Sequence, residues 1–249
     1  MLGVIVNKRD GEAVVILKSF RCAWGKCTFC PFFLESSNNL ADVIKTNEKI
    51  IELLRKAVRE HNITKITIFN GGSFFELPLK TILDLAELAQ GKTIGIETRP
   101  EYLTINNVDK LMSLLKPREL EIRIGLEVWD EHIRNKVLNK GIPQKEVYRI
   151  IELRKHIKEK YGEKIKFIAY ILFGIEGISQ EAIIESIDKF NKTFDGVIAL
   201  KYRKILPNHP NETHIPKELL KTIKDKCTKI DINEENEWTF NNKIHYIIQ

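Results

Sequence analysis

Six short apolar runs, each followed by a stretch of helical periodicity, constrain this chain more than any other feature of its sequence. The runs AVVILKS (13–19), KITIFN (65–70), KTIGIETR (92–99), ELEIRIGLEV (119–128), KIKFIAYILFG (164–174) and GVIALKYRKIL (196–206) have the length and β-branched content of strands. Residues 41–61, 79–90, 106–116, 130–139, 144–160 and 179–194 carry the spacing of helices with one buried face. A strand that returns to its sheet through a helix lies parallel to its predecessor, so the pattern specifies βα units around a parallel sheet. A hairpin turning at Arg9-Asp10-Gly11 precedes the first unit, and a helix over 217–229 and the strand-like KIHYIIQ follow the last.

An eight-unit barrel takes about 250 residues. Here six units and both termini already use the 249 available. The sheet is therefore either open and doubly wound or an incomplete barrel, and side-chain parity favours the barrel. Along Glu121-Ile122-Arg123-Ile124-Gly125-Leu126-Glu127 the odd positions are charged or glycine and the even ones aliphatic. A central strand between two helical layers is apolar on both faces, whereas a barrel strand can turn polar groups inward toward a ligand. Glu97 with Arg99, and Lys201 with Arg203, repeat the parity near the C-terminal strand ends, where barrel active sites sit. The expected architecture is an α/β, partial (βα)6 TIM-like barrel of parallel strands. It forms one domain over residues 1–249, with the barrel at about 13–206 and a helix-and-strand extension over 207–249.

The loop after the first of these strands reads RCAWGKCTFCPFF (21–33) and holds Cys22, Cys27 and Cys30, three of the four cysteines. Structural zinc asks for a closed shell of four ligands, usually two pairs. Here Cys227 stands alone in a helical stretch and the six histidines are scattered. An iron–sulfur cluster matches the cysteines better, because thiolates are its natural ligands and a cubane on three of them leaves one iron open. Phe29 and Trp24 are placed to shield it. Clustered cysteines favour metal over disulfides in a reducing compartment, and no signal peptide or bilayer-spanning apolar run is present, so the expected location is cytoplasmic. The net charge of +6 permits an anionic partner such as RNA without requiring one.

These residues resemble the signature of the radical S-adenosylmethionine (SAM) enzymes, CxxxCxΦC with Φ aromatic, in the loop after the first strand of a partial (βα)6 barrel. Here it reads Cys22-x4-Cys27-Thr28-Phe29-Cys30, with four residues in the first gap where the family pattern has three. Asn70-Gly71-Gly72-Ser73 stands where family members carry a GGE-like motif, Ser73 replacing the glutamate. IETRPEYL (96–103) is similar to the ETRPD stretch of the elongator acetyltransferase branch, and YILFGIEGISQEA (170–182) to an LFGLPGET-type turn with Glu176 replacing proline. The nearest motifs are those of the elongator acetyltransferase and archaeosine-synthase radical branch.

The resemblance implies a 4Fe-4S cluster on Cys22, Cys27 and Cys30 and SAM chelated at its open iron. Reductive cleavage of SAM then gives methionine and a 5′-deoxyadenosyl radical that takes a hydrogen atom from substrate. The resemblance further implies cofactor contacts from Phe29, Asn70, Gly71, Gly72, Ser73, Glu97 and Arg123, the last toward the SAM carboxylate. An external electron donor of flavodoxin or ferredoxin type is also implied. TIFNGGSFFE and TRPEYL are similar to stretches of enzymes that act on tRNA, so the expected substrate is tRNA or a nucleoside-like molecule. Lys201, Tyr202 and Arg203 stand where an anionic substrate would enter, or serve as barrel lining. The alternative is a zinc or iron–sulfur RNA-binding or regulatory module without turnover.

Overall fold

A computed structural model describes residues 1–232 and 240–249. One sheet runs β8-β7-β6-β5-β4-β3-β2-β1-β9. Its strands are β1 (Leu2–Asn7), β2 (Glu12–Leu17), β3 (Lys65–Asn70), β4 (Thr93–Thr98), β5 (Glu119–Glu127), β6 (Ile165–Phe173), β7 (Gly196–Lys201), β8 (Lys229–Asp231) and β9 (Ile244–Ile248). From β2 to β8 every neighbouring pair is parallel. β1 pairs antiparallel with β2 as the expected hairpin, and β9 extends the sheet beyond it.

The helices are α1 (Leu40–Glu60), α2 (Leu79–Ala89), α3 (Ile105–Leu115), α4 (Gln144–Tyr161), α5 (Gln180–Thr193) and α6 (Lys217–Lys226). Local chemistry starts several of them. The side chains of Asn39, Thr104 and Ser179 accept from backbone N–H groups three residues on, satisfying donors that a helix start leaves free. The even residues of β5, among them Ile122, Ile124 and Leu126, are fully buried beneath the helices. No helix among the described residues is long and apolar enough to cross a membrane.

The sheet curls into the expected partial barrel. Lys229 on β8 reaches to 3.9 Å from Glu12 on β2, six strands away, so opposite ends of the parallel ladder face each other across the interior. The inward odd residues fill the barrel floor with paired charge. Lys65 and Arg123 hold Glu121 at 2.6 and 2.7 Å, and the Thr67 hydroxyl donates to Glu12. Buried charge persists only when paired, and β2, β3 and β5 each contribute to this pairing.

Three boundaries differ from expectation, each for a tertiary reason. β7 ends at Lys201 rather than continuing to 206, because Tyr202 turns to donate its N–H to Phe173 and its hydroxyl to Pro210. The last helix stops at Lys226 rather than 229. The edge of β7 captures Thr228, whose N–H donates to the Val197 carbonyl and whose hydroxyl accepts from Val197 N–H, and Lys229–Asp231 become β8. The segment expected as a helix over 130–139 contains a single π-helical turn, Ile133–Val137.

Arg134 holds that turn. Its guanidinium is fully buried and donates to the carbonyls of Ile142, Val128 and Trp129 and to the Gln144 side chain, at 2.7–3.0 Å. The following residues, 137–141, face the cysteine loop. Arg134→Met would strand these carbonyls, and each buried unsatisfied group costs about 1–3 kcal/mol. Urea unfolding of this variant is expected to show a loss of roughly 3 kcal/mol or more, and a near-wild-type midpoint would refute the role.

Candidate active site at the barrel mouth

The cysteine loop is held between two structures that lie far from it in sequence. On one side, Thr28 donates from its N–H to Leu138 O and from its hydroxyl to Val137 O, at 3.1 and 3.0 Å. Asn139 donates to Lys26 O, and the Trp24 indole donates back to Asn139 O. The indole lies over Gly141, where a Cβ would come within 2.2 Å of the ring, so only glycine leaves room for it. Lys26 and Arg99 stand 5.1 and 5.4 Å from the Trp24 ring centroid, a cation–π arrangement. The four-residue gap between Cys22 and Cys27 thus has a structural use. Gly25, at φ 56°, turns the chain so that Trp24 can reach its slot.

On the other side, Glu76 ties the loop to the end of β3. Its carboxylate accepts from Ser73 N–H at 2.6 Å, from Ala23 N–H at 2.9 Å and from the Tyr102 hydroxyl at 2.9 Å. A carboxylate thus stands three residues after Ser73, bound to the backbone of the turn and of the cysteine loop. Ser73-x-x-Glu76 is a capping-box spacing, the one signal that could have identified Glu76 from sequence. Ser73 is fully buried, with its hydroxyl on that of Thr98 at 2.8 Å, and it is the one expected site residue that does not line the cavity.

All the other expected residues line one cavity of about 360 Å³ at the C-terminal ends of the strands: Cys22, Cys27, Cys30, Phe29, Asn70, Gly71, Gly72, Glu97 and Arg123. Lys201, Tyr202 and Arg203 line its far side together with Leu172, Ile198, Leu200 and Phe240. Cys227 does not line it. Sequence reading missed Lys140 and Tyr170, which also do, because their approach to the site depends on a loop path and on β6 facing β4.

The cavity gathers polar atoms that the protein leaves unpaired. Asn70 donates through Nδ2 to Ser73 O at 2.9 Å while its buried Oδ1 has no partner. Arg123 gives Nη2 to Glu121 and Thr67, and its Nε is buried without one. Glu127 takes Lys140 at 2.8 Å through Oε1 and leaves Oε2 unpaired. Burial pushes the Glu97 carboxyl up to about 7, against the opposing pull of the Tyr170 hydroxyl and the Arg123 guanidinium. Burial likewise raises the Cys27 thiol, with Lys140 and Arg99 resisting, and lifts Cys30 to about 12. A buried thiol resists ionising in isolation and ionises readily on iron.

These residues fit a cluster with a small polar ligand. The three cysteines share the cavity with Asn70, Arg123 and Glu127, each of which carries one unpaired buried polar atom. Among the described residues no three His, Cys, Asp or Glu side chains converge as ligands of one ion would. Thiolates bound to separate irons of a cubane stand further apart than ligands of a single ion.

The sequence profile of the Radical SAM superfamily matches residues 16–190, well over half of the chain, and the chain belongs to that superfamily of enzymes. Archaeosine synthase subunit beta of Methanosarcina acetivorans is 31% identical over 186 residues, covering 70% of this chain and 52% of that protein. An uncharacterized protein of Methanocaldococcus jannaschii is 30% identical over 195 residues, covering 73% and 52%. The chain therefore spans about half the length of the curated relatives it matches. Among solved structures, a queuine lyase from Clostridium spiroforme bound to SAM and queuine superposes with a TM-score of 0.66 at 25% identity, covering 98% of this chain and 94% of that one. SuiB from Streptococcus suis shares the fold at a TM-score of 0.58 and 18% identity, over 100% of this chain and 50% of that one.

The raised pKa of Glu97 has a definite sign in stability. The folded chain holds this proton more tightly than the unfolded chain does, so Glu97 weakens the fold as pH rises from about 4.5 through about 7, and no further above that. Glu97→Gln is expected to abolish this slope and to gain on wild type by about 3 kcal/mol across the window. Urea midpoints of the ligand-free proteins at either end of the window measure it, and parallel pH profiles would count against the assignment.

Proposed function

We propose that this chain is a SAM-cleaving radical enzyme whose substrate is a nucleobase or nucleoside, taken free or within tRNA. The observation that carries the reading is a single cavity that brings the three loop cysteines, the Gly71-Gly72 turn and the unpaired atoms of Asn70, Arg123 and Glu127 together. In this reading Cys22, Cys27 and Cys30 hold a 4Fe-4S cluster. When bound, the cluster and SAM supply the one-electron cleavage and the hydrogen abstraction that define the chemistry.

The chain's own residues bind and enclose. Asn70 Oδ1 and the backbone carbonyls at Gly71-Gly72 accept from the SAM ammonium, with Ser73 fixing the turn through Thr98. Arg123 offers Nε to the carboxylate from a guanidinium already anchored on Glu121, a charge-assisted contact. Glu97 meets the ribose hydroxyls, as donor or acceptor according to pH. Phe29 covers the cluster on the Lys140 side, 5.5 Å from the ammonium. Beyond the cofactor, Leu172, Ile198, Leu200 and Phe240 form an apolar wall suited to a flat heterocycle, and Lys201 and Arg203 stand at its edge.

The substrate class is supported by the archaeosine synthase relatives and by the nearly whole-chain match to a queuine-bound structure. The chemistry needs a strong one-electron reductant, which places a small flavodoxin- or ferredoxin-like donor among the partners. A reduced cluster and cysteines outside any disulfide suit the reducing cytoplasm.

Anaerobic reconstitution with iron and sulfide tests the reading. Wild type is expected to gain visible charge-transfer absorption and to release 5′-deoxyadenosine on reduction, and Cys22→Ala, Cys27→Ala and Cys30→Ala each to lose both. A single tightly bound zinc with no SAM cleavage would overturn the enzyme reading. For the substrate, modified nucleosides in tRNA from a deletion strain and turnover of free nucleobases are compared. Unchanged tRNA together with no turnover of the free bases would overturn the substrate class.

A further inference from the structure

Lys140 and Glu127 form a buried ion pair against the cysteine loop, and the backbone is bent to make it. At Gly125 the register between β5 and β6 shifts, and Glu127 follows at φ 69°, a left-handed conformation uncommon for any residue but glycine. That bend turns the carboxylate inward, 2.8 Å from Lys140 Nζ, with the two side chains only 7% and 10% exposed. A Cβ at position 125 would lie 2.8 Å from Glu127 Oε1 and 3.0 Å from Lys140 Nζ, so any other residue there would displace the pair.

Lys140 belongs to the same segment that clasps the cysteine loop through Leu138 and Asn139. Its ammonium lies 5.5 Å from the Phe29 ring centroid, between Cys27 and Cys30 in sequence, and Lys140 and Cys27 line the same cavity. Stability alone gives weak grounds for such a pair, since well-packed apolar residues commonly replace a buried ion pair without loss. Strained backbone retained beside a functional site points to a role in that site.

We propose that Lys140, aimed by Glu127, is a positioning and charge-tuning residue for the iron–sulfur centre assigned to Cys27. Its ammonium offsets the thiolate charge and favours the reduced state. The inference rests on the proposal that the cysteines hold a cluster. One-electron reduction adds negative charge to the centre, and net charge around a cluster is one of the factors that set its potential. A cation held in a low-dielectric wall therefore raises that potential, and the carboxylate that holds the cation moderates the effect.

The test is a potentiometric titration of the reconstituted holoenzyme, followed by the electron paramagnetic resonance signal of the reduced cluster. Lys140→Met is expected to shift the midpoint to more negative potential, and Lys140→Arg to leave it near wild type. Glu127→Gln, which frees the ammonium of its counter-charge, is expected to shift it the other way. The double variant K140M/E127Q, which leaves no buried charge unpaired, should lie between the two single variants. If Lys140→Met does not retain a cluster, the opposite shift of Glu127→Gln and the intermediate double variant carry the test. Midpoints identical across the set at full iron content, whatever the change in thermal stability, would reduce the pair to a structural tie and overturn the inference. A wild-type chain that assembles no cluster would overturn both this inference and the ligand assignment. A normal cluster with unmoved midpoints overturns this one alone.

Discussion

A curled parallel sheet that points charged side chains inward must neutralise them within its own interior, and the rest of this molecule is arranged around that requirement. At the barrel floor it is met completely. Glu121 is shared between Lys65 and Arg123, Glu12 takes the Thr67 hydroxyl, and Lys229 closes on Glu12 from the far edge of the sheet. Higher up, toward the strand ends, it is met only in part. Arg123 has one nitrogen to spare, Asn70 and Glu127 each one oxygen, and burial pushes the Glu97 carboxyl up to about 7. A buried polar atom without a partner is costly. That Asn70, Arg123 and Glu127, each with an unpaired atom, line one cavity with the loop cysteines is the physical basis for reading the upper layer as a binding site and the lower one as scaffold.

The cysteine loop has almost no regular structure and depends on its neighbours for its shape. Glu76 grips its first half through Ala23, and the 137–141 segment grips the second through Lys26 and Thr28. Trp24 makes the join from within the lengthened gap between Cys22 and Cys27. The segment that receives it is rigid because Arg134, buried with no carboxylate among its hydrogen-bond partners, gathers the carbonyls of the turn around its guanidinium. A loop clamped at both ends by separate βα units can present three thiols to one cavity while keeping no secondary structure of its own.

Much of this was legible in the sequence, because the relevant signals are local. Apolar runs of strand length placed all six barrel strands, and period-two parity turned Glu97 and Arg123 inward, since the side-chain direction of a strand residue is fixed by parity. The ends of β7 and α6 were misjudged because a neighbouring strand edge and the Pro210 carbonyl outweigh local propensity there. The π-helical turn was missed for a similar reason, since periodicity cannot register one arginine collecting distant carbonyls.

The sequence by itself determined the barrel, its polar lining and the cysteine motif, each a matter of residue type and spacing over a few positions. Only the tertiary structure decided how that motif is held and charged. Glu76 ties the loop to the turn after β3, Gly141 opens the slot for Trp24, and Glu127 holds Lys140 at the cavity that Cys27 also lines. These partners lie tens to more than a hundred residues apart in several cases, and Lys140 meets Glu127 only because β5 bends at Gly125. Contacts of that kind depend on the path of the backbone in space, which spacing along the chain does not encode.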